Sequence, residues 1–222
     1  MSSRGAPAGR SVGTREAVMA AAERLHAGSG PAVVSDHQVG EAARQGDVAA
    51  VSHHFGTKED LVGAIVRRHS DGTEQVRDRM LEGIGDSREL RDWGACLVRP
   101  ATEQVRSPAV PSWYARFTAQ VMTGPVLRTI VADEALVRAP VCRTMAGMAG
   151  CLLALLAETR VTRGVMALHL LTHTWAEPER ALAQDARVRQ PAWQELETDL
   201  TDAVTGLLSA PVTPGPWSRR CT

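Results

Sequence analysis

Residues 50–61 read "AVSHHFGTKEDL": a short apolar segment closes on two histidines, a phenylalanine and a glycine, and a new helix then begins. Phe55 supplies the apolar anchor of "VAAVSHHF" (residues 48–55), a helix of about two turns, and Phe55-Gly56 ends it. Thr57 is a capping residue followed by Glu59 and Asp60, acids in a first turn where the helix dipole favours them. Leu61, Ile65 and Val66 continue the apolar stripe, so a long helix is expected to run toward Leu81.

Upstream, "RQGD" (44–47) breaks the preceding helix, since Gly46 suits a turn and Asp47 can cap the helix after it. Ser35 and Asp36 offer an N-cap to a short helix through Val39, Ala42 and Ala43. Before it, Val18, Ala21, Ala22 and Leu25 recur at helical spacing from Thr14, and Gly28 and Gly30 stop the run. Residues 1–13, rich in Gly, Ser, Ala and Arg, read as a mobile arm carrying Arg4 and Arg10. The order is helix, helix, turn, helix, then a long helix.

Downstream, helices are expected to start near Ser87, Pro111, Pro125, Pro140, Thr162 and Pro191, several at a proline that pre-sets the first turn. Sustained period-two alternation is missing, which predicts an all-α chain. Segments 141–157 and 162–175 are apolar around much of their circumference and need cover on more than one side. Residues 211–222 read as a mobile tail.

The 222 residues suffice for a large domain or for a small one joined to a larger one. A formal net charge of zero gives no global argument for a nucleic-acid partner, although it leaves room for a local basic surface. Cys96, Cys142, Cys151 and Cys221 are widely spaced, without a Cys-x-x-Cys pair, so neither a zinc ribbon nor a disulfide framework is indicated. The start "MSSRGAPAGR" is not followed by an apolar signal core, and no apolar run approaches the ~20 residues that span a bilayer. The chain reads as cytosolic.

The capped short helix, "EAARQGDVAAVSHHFGTKEDL" (41–61) and the long helix after it resemble the TetR family of bacterial transcriptional regulators. The specific part is Phe55, Gly56, Thr57, Lys58, Glu59 and Leu61, matching the family's aromatic-His-Phe-Gly-Ser/Thr-Lys-Glu-x-Leu signature; the detailed likeness covers residues 14–65. Ser52 and His53 stand where members usually carry one or two tyrosines, and "RQGDV" replaces a frequent Gly-Val-Ser.

The resemblance implies a three-helix, helix-turn-helix DNA-binding domain at 14–56. It implies a larger helical ligand-binding and dimerisation domain at 57–210, with 57–82 as the linking helix. Its DNA candidates are Arg44 and Gln45 in the turn, Val48, Ala49, Ala50 and Ser52 toward base edges, and His53, His54, Thr57 and Lys58 toward phosphates. Arg4, Arg10 and Arg15 are further candidates. Pocket candidates are Trp93, Cys96, Trp113, Phe117, Val121 and Met122, with Met145, Met148, His169 and His173 on an opposite wall, all residue types that also serve as ordinary core. Segments 141–157 and 162–175 would form a dimer bundle.

His53 and His54, adjacent on a helix, diverge by about 100° and do not chelate one ion readily. His169 and His173 stand four apart and share a face, but their helix lacks a well-placed third ligand, so packing is the expected role and no metal centre or cofactor is expected. Gly-rich phosphate loops, Gly-x-Ser-x-Gly and His-Glu-x-x-His are absent, and no acid pair sits in an apolar helix face. The expected function is a homodimeric, operator-binding repressor, released from a palindromic site in double-stranded DNA by a small, largely apolar effector. A ligand-binding dimer without operator activity and a small helical enzyme are the alternatives.

Overall fold

A computed structural model describes residues 7–43, 49–106, 112–184 and 193–213, with 7–11, 49–50 and 182–184 as backbone alone. Among the described residues the chain is helical throughout and has no strand. The helices are α1 (Pro7–Ser29), α2 (Asp36–Ala42), α3 (Ala49–Phe55), α4 (Lys58–Ile84), α5 (Leu90–Arg106), α6 (Tyr114–Val121), α7 (Pro125–Leu136), α8 (Ala139–Cys151), α9 (Ala157–Gln184) and α10 (Trp193–Ser209).

Local chemistry sets many of these limits. Ser35 caps α2 in a box with Gln38: the Gln38 amide donates to Ser35 Oγ at 3.3 Å and the Ser35 amide to Gln38 Oε1 at 2.8 Å. Thr57 and Asp60 form the equivalent box at the start of α4. Gly30 (φ +83°) closes α1 and Gly56 (φ +74°) closes α3, both in the left-handed region that a side chain disfavours.

Several limits differ from the sequence reading, among them the end of the expected 162–175 helix, which runs on to Gln184. The first helix begins at Pro7, so it extends through residues expected in the arm; a proline at the first position costs no helical hydrogen bond. The expected 141–157 helix ends at Cys151, because Leu152 (φ −112°, ψ 21°) leaves helical geometry to bury its side chain. The next helix, α9, then starts at Ala157, ahead of Thr162.

Two main cores result. The first joins Val18, Met19 and Ala22 of α1, Val39 of α2, Val51 and Phe55 of α3, Leu61, Val62, Ile65 and Val66 of α4, and Phe117 and Val121 of α6. The second joins Leu81 of α4 to Trp93, Cys96 and Val98 of α5, Met148 of α8, Ala167 and Leu171 of α9, and Leu200, Val204 and Leu208 of α10. Full burial of each such large side chain contributes roughly 1.5–3 kcal/mol. With 27 residues, about 40 Å of helix, α4 reaches from one core to the other.

The contact between α5 and α8 depends on a missing side chain. The Trp93 indole lies on Gly147 so closely that a Cβ there would enter the ring, and its Nε1 donates to Ser87 O at 2.9 Å. Gly147→Ala therefore has to displace an anchored indole, with an expected loss of about 1–3 kcal/mol. Urea unfolding followed by tryptophan fluorescence checks this; unchanged stability would rule out the close contact.

Candidate functional site

Helix α3 is two-sided. Val51 and Phe55, one turn apart, enter the first core, whereas Ser52 and His53 are exposed and His54 is half-buried. The His53 and His54 rings meet edge-on at 5.3 Å, and His54 meets Phe55 at 6.4 Å. The Arg15 guanidinium lies 4.8 Å from the Phe55 ring centroid, so this α1 arginine also braces α3 from below. Arg44, Gln45 and Val48, and Arg4 of the expected arm, lie outside the described residues, as do the side chains of Arg10, Ala49 and Ala50.

At the start of α4 the side chains are already committed. Lys58 Nζ donates to Pro31 O and Val34 O, each at 2.8 Å, so two of its three N–H bonds tie down the α1–α2 loop. Thr57 Oγ1 donates to Asp60 Oδ2 at 2.6 Å, and the Thr57 amide donates to the same oxygen at 3.3 Å. An anion approaching this helix start meets the Asp60 and Glu59 carboxylates. The positive end of the helix dipole is thus answered from within the chain. Lys58→Met removes both charge-assisted bonds and should cost about 1–3 kcal/mol, read by chemical unfolding; a smaller loss would mean that the loop carbonyls find other donors.

The pocket candidates are distributed over three places. Phe117, Val121 and the partly buried Trp113 belong to the first core; Trp93, Cys96 and Met148 belong to the second, and Met122 is also buried. Met145, 49% exposed, and the exposed His169 and His173 lie on the outer surface of α8 and α9. An open cleft of about 510 Å³ involves Trp93 with Asp86, Ser87, Arg88, Gly147, Gly150 and Cys151. A second, of about 420 Å³, lies between α4 and α8 and is polar, lined by Asp71, Glu74, Gln75, Asp78, Arg138 and Pro140. Of the pocket candidates, Trp93 alone lines either cleft.

The outer surface of α8 and α9 is apolar over a wide area, with the exposed charges of Arg143 on α8 and Glu158 on α9 as exceptions. Met145, Ala146, Ala149, Gly150 and Leu153 follow one another on the exposed side of α8 and the turn after it. On α9, Thr162, Val165, Met166, His169 and His173 are all exposed and, at 100° per residue, fall on one arc of the helix. Leu156 (75% exposed) and Val161 (67%) extend the patch between the two helices.

A partly buried polar cluster between α1, α4, α5 and α6, centred on the buried Glu23, escaped the sequence reading. Gln104 Nε2 donates to His69 Nδ1 at 3.0 Å, which leaves His69 Nε2–H to donate to Glu23 Oε2 at 2.8 Å. The His69 ring stacks on Tyr114 with centroids 3.9 Å apart, and Arg68 binds both Glu23 and Glu16. Burial pushes the Tyr114 phenol up to about 12. The signal was Glu23 itself, a carboxylate on the stripe of Met19, Ala22 and His26.

Helix α6 is held from its other side as well. Trp113 gives it no side-chain cap, and Glu179 of α9 takes that role, accepting from the amides of Arg116 at 2.9 Å and Ala115 at 3.4 Å. Burial moves the Glu179 carboxyl above its usual range, against the pull of these amides. Comparison with protein-family models and with curated proteins gives no match to this sequence. None of the described helices is long and apolar enough to cross a membrane.

Proposed function

We propose that the chain is a TetR-like, ligand-responsive transcriptional regulator that acts in the cytoplasm and binds a palindromic operator in double-stranded DNA as a homodimer. The observation that carries this reading is the division of α3, which buries Val51 and Phe55 and turns Ser52 and His53 outward. A helix so placed, after the short capped α2, can enter a major groove with Ser52 and His53 reaching bases or phosphates. Support for the dimer comes from the largely apolar outer surfaces of α8 and α9, where exposed Met145, Leu153, Val165 and Met166 offer area for a second copy to cover. The two recognition helices would then sit about 34–36 Å apart, one helical turn of DNA.

In this reading the protein is a repressor, and effector binding in the larger domain releases DNA by shifting α4 and the elements tied to it. Arg68 and His69 of α4 hold α1 through Glu23, so a displacement of α4 moves the reading surface with it. The effector needs only to favour the DNA-incompetent state, with a typical coupling of about 1–3 kcal/mol.

The test is selection of source-genome fragments by the purified protein at near-physiological salt with excess competitor DNA. The expected result is a shared palindrome, lost from the retained pool when Ser52 and His53 are both replaced by alanine. A second reading, a ligand-binding dimer without operator activity, is favoured by the committed Lys58 ammonium and by the acids at the start of α4. Folded, dimeric protein that retains no sequence above background selects that second reading.

A further inference from the structure

We infer that two copies of this chain assemble a divalent transition-metal site from His169 and His173 of each α9, a site that rests on the dimer proposed above. Both imidazoles are exposed, and they stand one turn apart, where helical neighbours have Cβ atoms about 5–6 Å apart. A pair at this spacing can hold a single ion with two nitrogens, as two histidines four apart on a helix do in zinc sites.

Their place on the helix supplies the other two ligands. At 100° per residue, Thr162, Val165, Met166, His169 and His173 span one exposed arc with the two histidines near its middle. Between Thr162 and His173 its other side chains are apolar or a hydroxyl, and the exposed Glu158 on the same side lies three turns before the histidines, so a two-fold axis through the middle of the arc keeps the two copies' Glu158 carboxylates far apart. An axis passing through the middle of the arc brings the His169 and His173 pairs of the two copies face to face. Two lone pairs per copy then give four imidazole nitrogens, the tetrahedral coordination that zinc prefers, and imidazole also suits cobalt, nickel and copper.

Within one chain the site is incomplete. Among the described residues no three His, Cys, Asp or Glu side chains gather for a metal. Glu177, one turn beyond His173, is engaged with Arg180. On the other side of the pair, Arg163 points its guanidinium away from the arc, to Leu208 O at 2.9 Å and Pro211 O at 3.4 Å. In the dimer the second copy supplies the completing ligands, and metal and dimer then stabilise each other through linkage.

Cobalt(II) alone, titrated into tag-free, chelator-stripped full-length protein, reads the site directly. The expected result is one cobalt per two chains, the intense visible bands of tetrahedral coordination, and a dimer dissociation constant lowered by about tenfold or more in sedimentation equilibrium. His169→Ala and His173→Ala should each abolish the bands and the cobalt-dependent tightening, and because both imidazoles are exposed in the single chain, each variant should keep the parent's circular dichroism and urea midpoint. Bands that survive both substitutions, or a metal-free dimer indifferent to cobalt, would overturn the site and leave the dimer standing. A chain that stays monomeric at every concentration, with and without cobalt, would overturn the dimer and the site together.

Discussion

Phe117→Ala should destabilise the protein by about 3–5 kcal/mol, the cost of emptying a fully buried phenylalanine site. Phe117 is 0% exposed and projects from α6 into the first core, among residues of α1 and α4. Its ring lies between His26, centroids 6.1 Å apart, and Tyr114, 6.0 Å apart, both in stacked orientation. Truncation therefore removes apolar burial and both ring contacts, and the loss is a large part of the roughly 5–15 kcal/mol that holds a typical domain together. Urea unfolding by far-UV circular dichroism measures it, with Phe117→Leu expected to lose much less. A loss below about 1 kcal/mol would show that α6 is not inserted between α1 and α4.

Acid should weaken the same region through His26. The imidazole is 1% exposed, its Nδ1 has no hydrogen-bond partner among the described residues, and burial, assisted by the nearby Lys58 charge, lowers its pKa from 6.5 to about 4. Between these values the unfolded chain binds a proton that the folded chain refuses, so stability falls as pH falls. The full contribution is present above pH 6.5 and is lost by about pH 4, a total of about 3 kcal/mol. Glu179, with its carboxyl pushed up, acts in the opposite sense and offsets part of the loss.

Unfolding free energies at several pH values, for the parent chain and for His26→Leu, isolate the His26 term. The variant should lose less stability than the parent between pH 6.5 and 4, and at pH 7 it should stay within about 1 kcal/mol, since it replaces an unpartnered polar group by an apolar one. Parallel pH curves for the two proteins would mean that His26 is protonated in the folded state. Lys58→Met should narrow the parent's acid-sensitive window, because it removes the second cause of the His26 shift.

The features legible in the sequence were mainly local. Ser35 and Thr57 announced the starts of α2 and α4, and Gly56 and Gly30 the ends of α3 and α1, because caps and left-handed glycines act within a few residues. The apolar pattern also gave the all-α class. Long-range partners were another matter: the sequence resemblance leads to the expectation that Lys58 faces phosphate, yet its ammonium bonds carbonyls more than twenty residues away. Phe117 and Trp93 carry equal apolar character in the sequence, and only packing assigns them to different cores. The end of α8 at Cys151 was hidden for a similar reason, since Leu152 and Leu153 look alike until one is buried and the other exposed.

The insertion of α6 also limits how this chain can be cut and rejoined. Phe117 and Val121 reach the first core from more than fifty residues beyond Gly56, and five α4 residues from Leu61 to Val66 line it as well. A fragment ending at Gly56 would leave Val18, Val39 and Phe55 facing water, and a chimaera that grafts this fragment onto a foreign helical body would inherit half of a core. Exchange of the α1–α3 unit would succeed only when α4 and α6 travel with it, which makes the transplantable piece discontinuous in sequence.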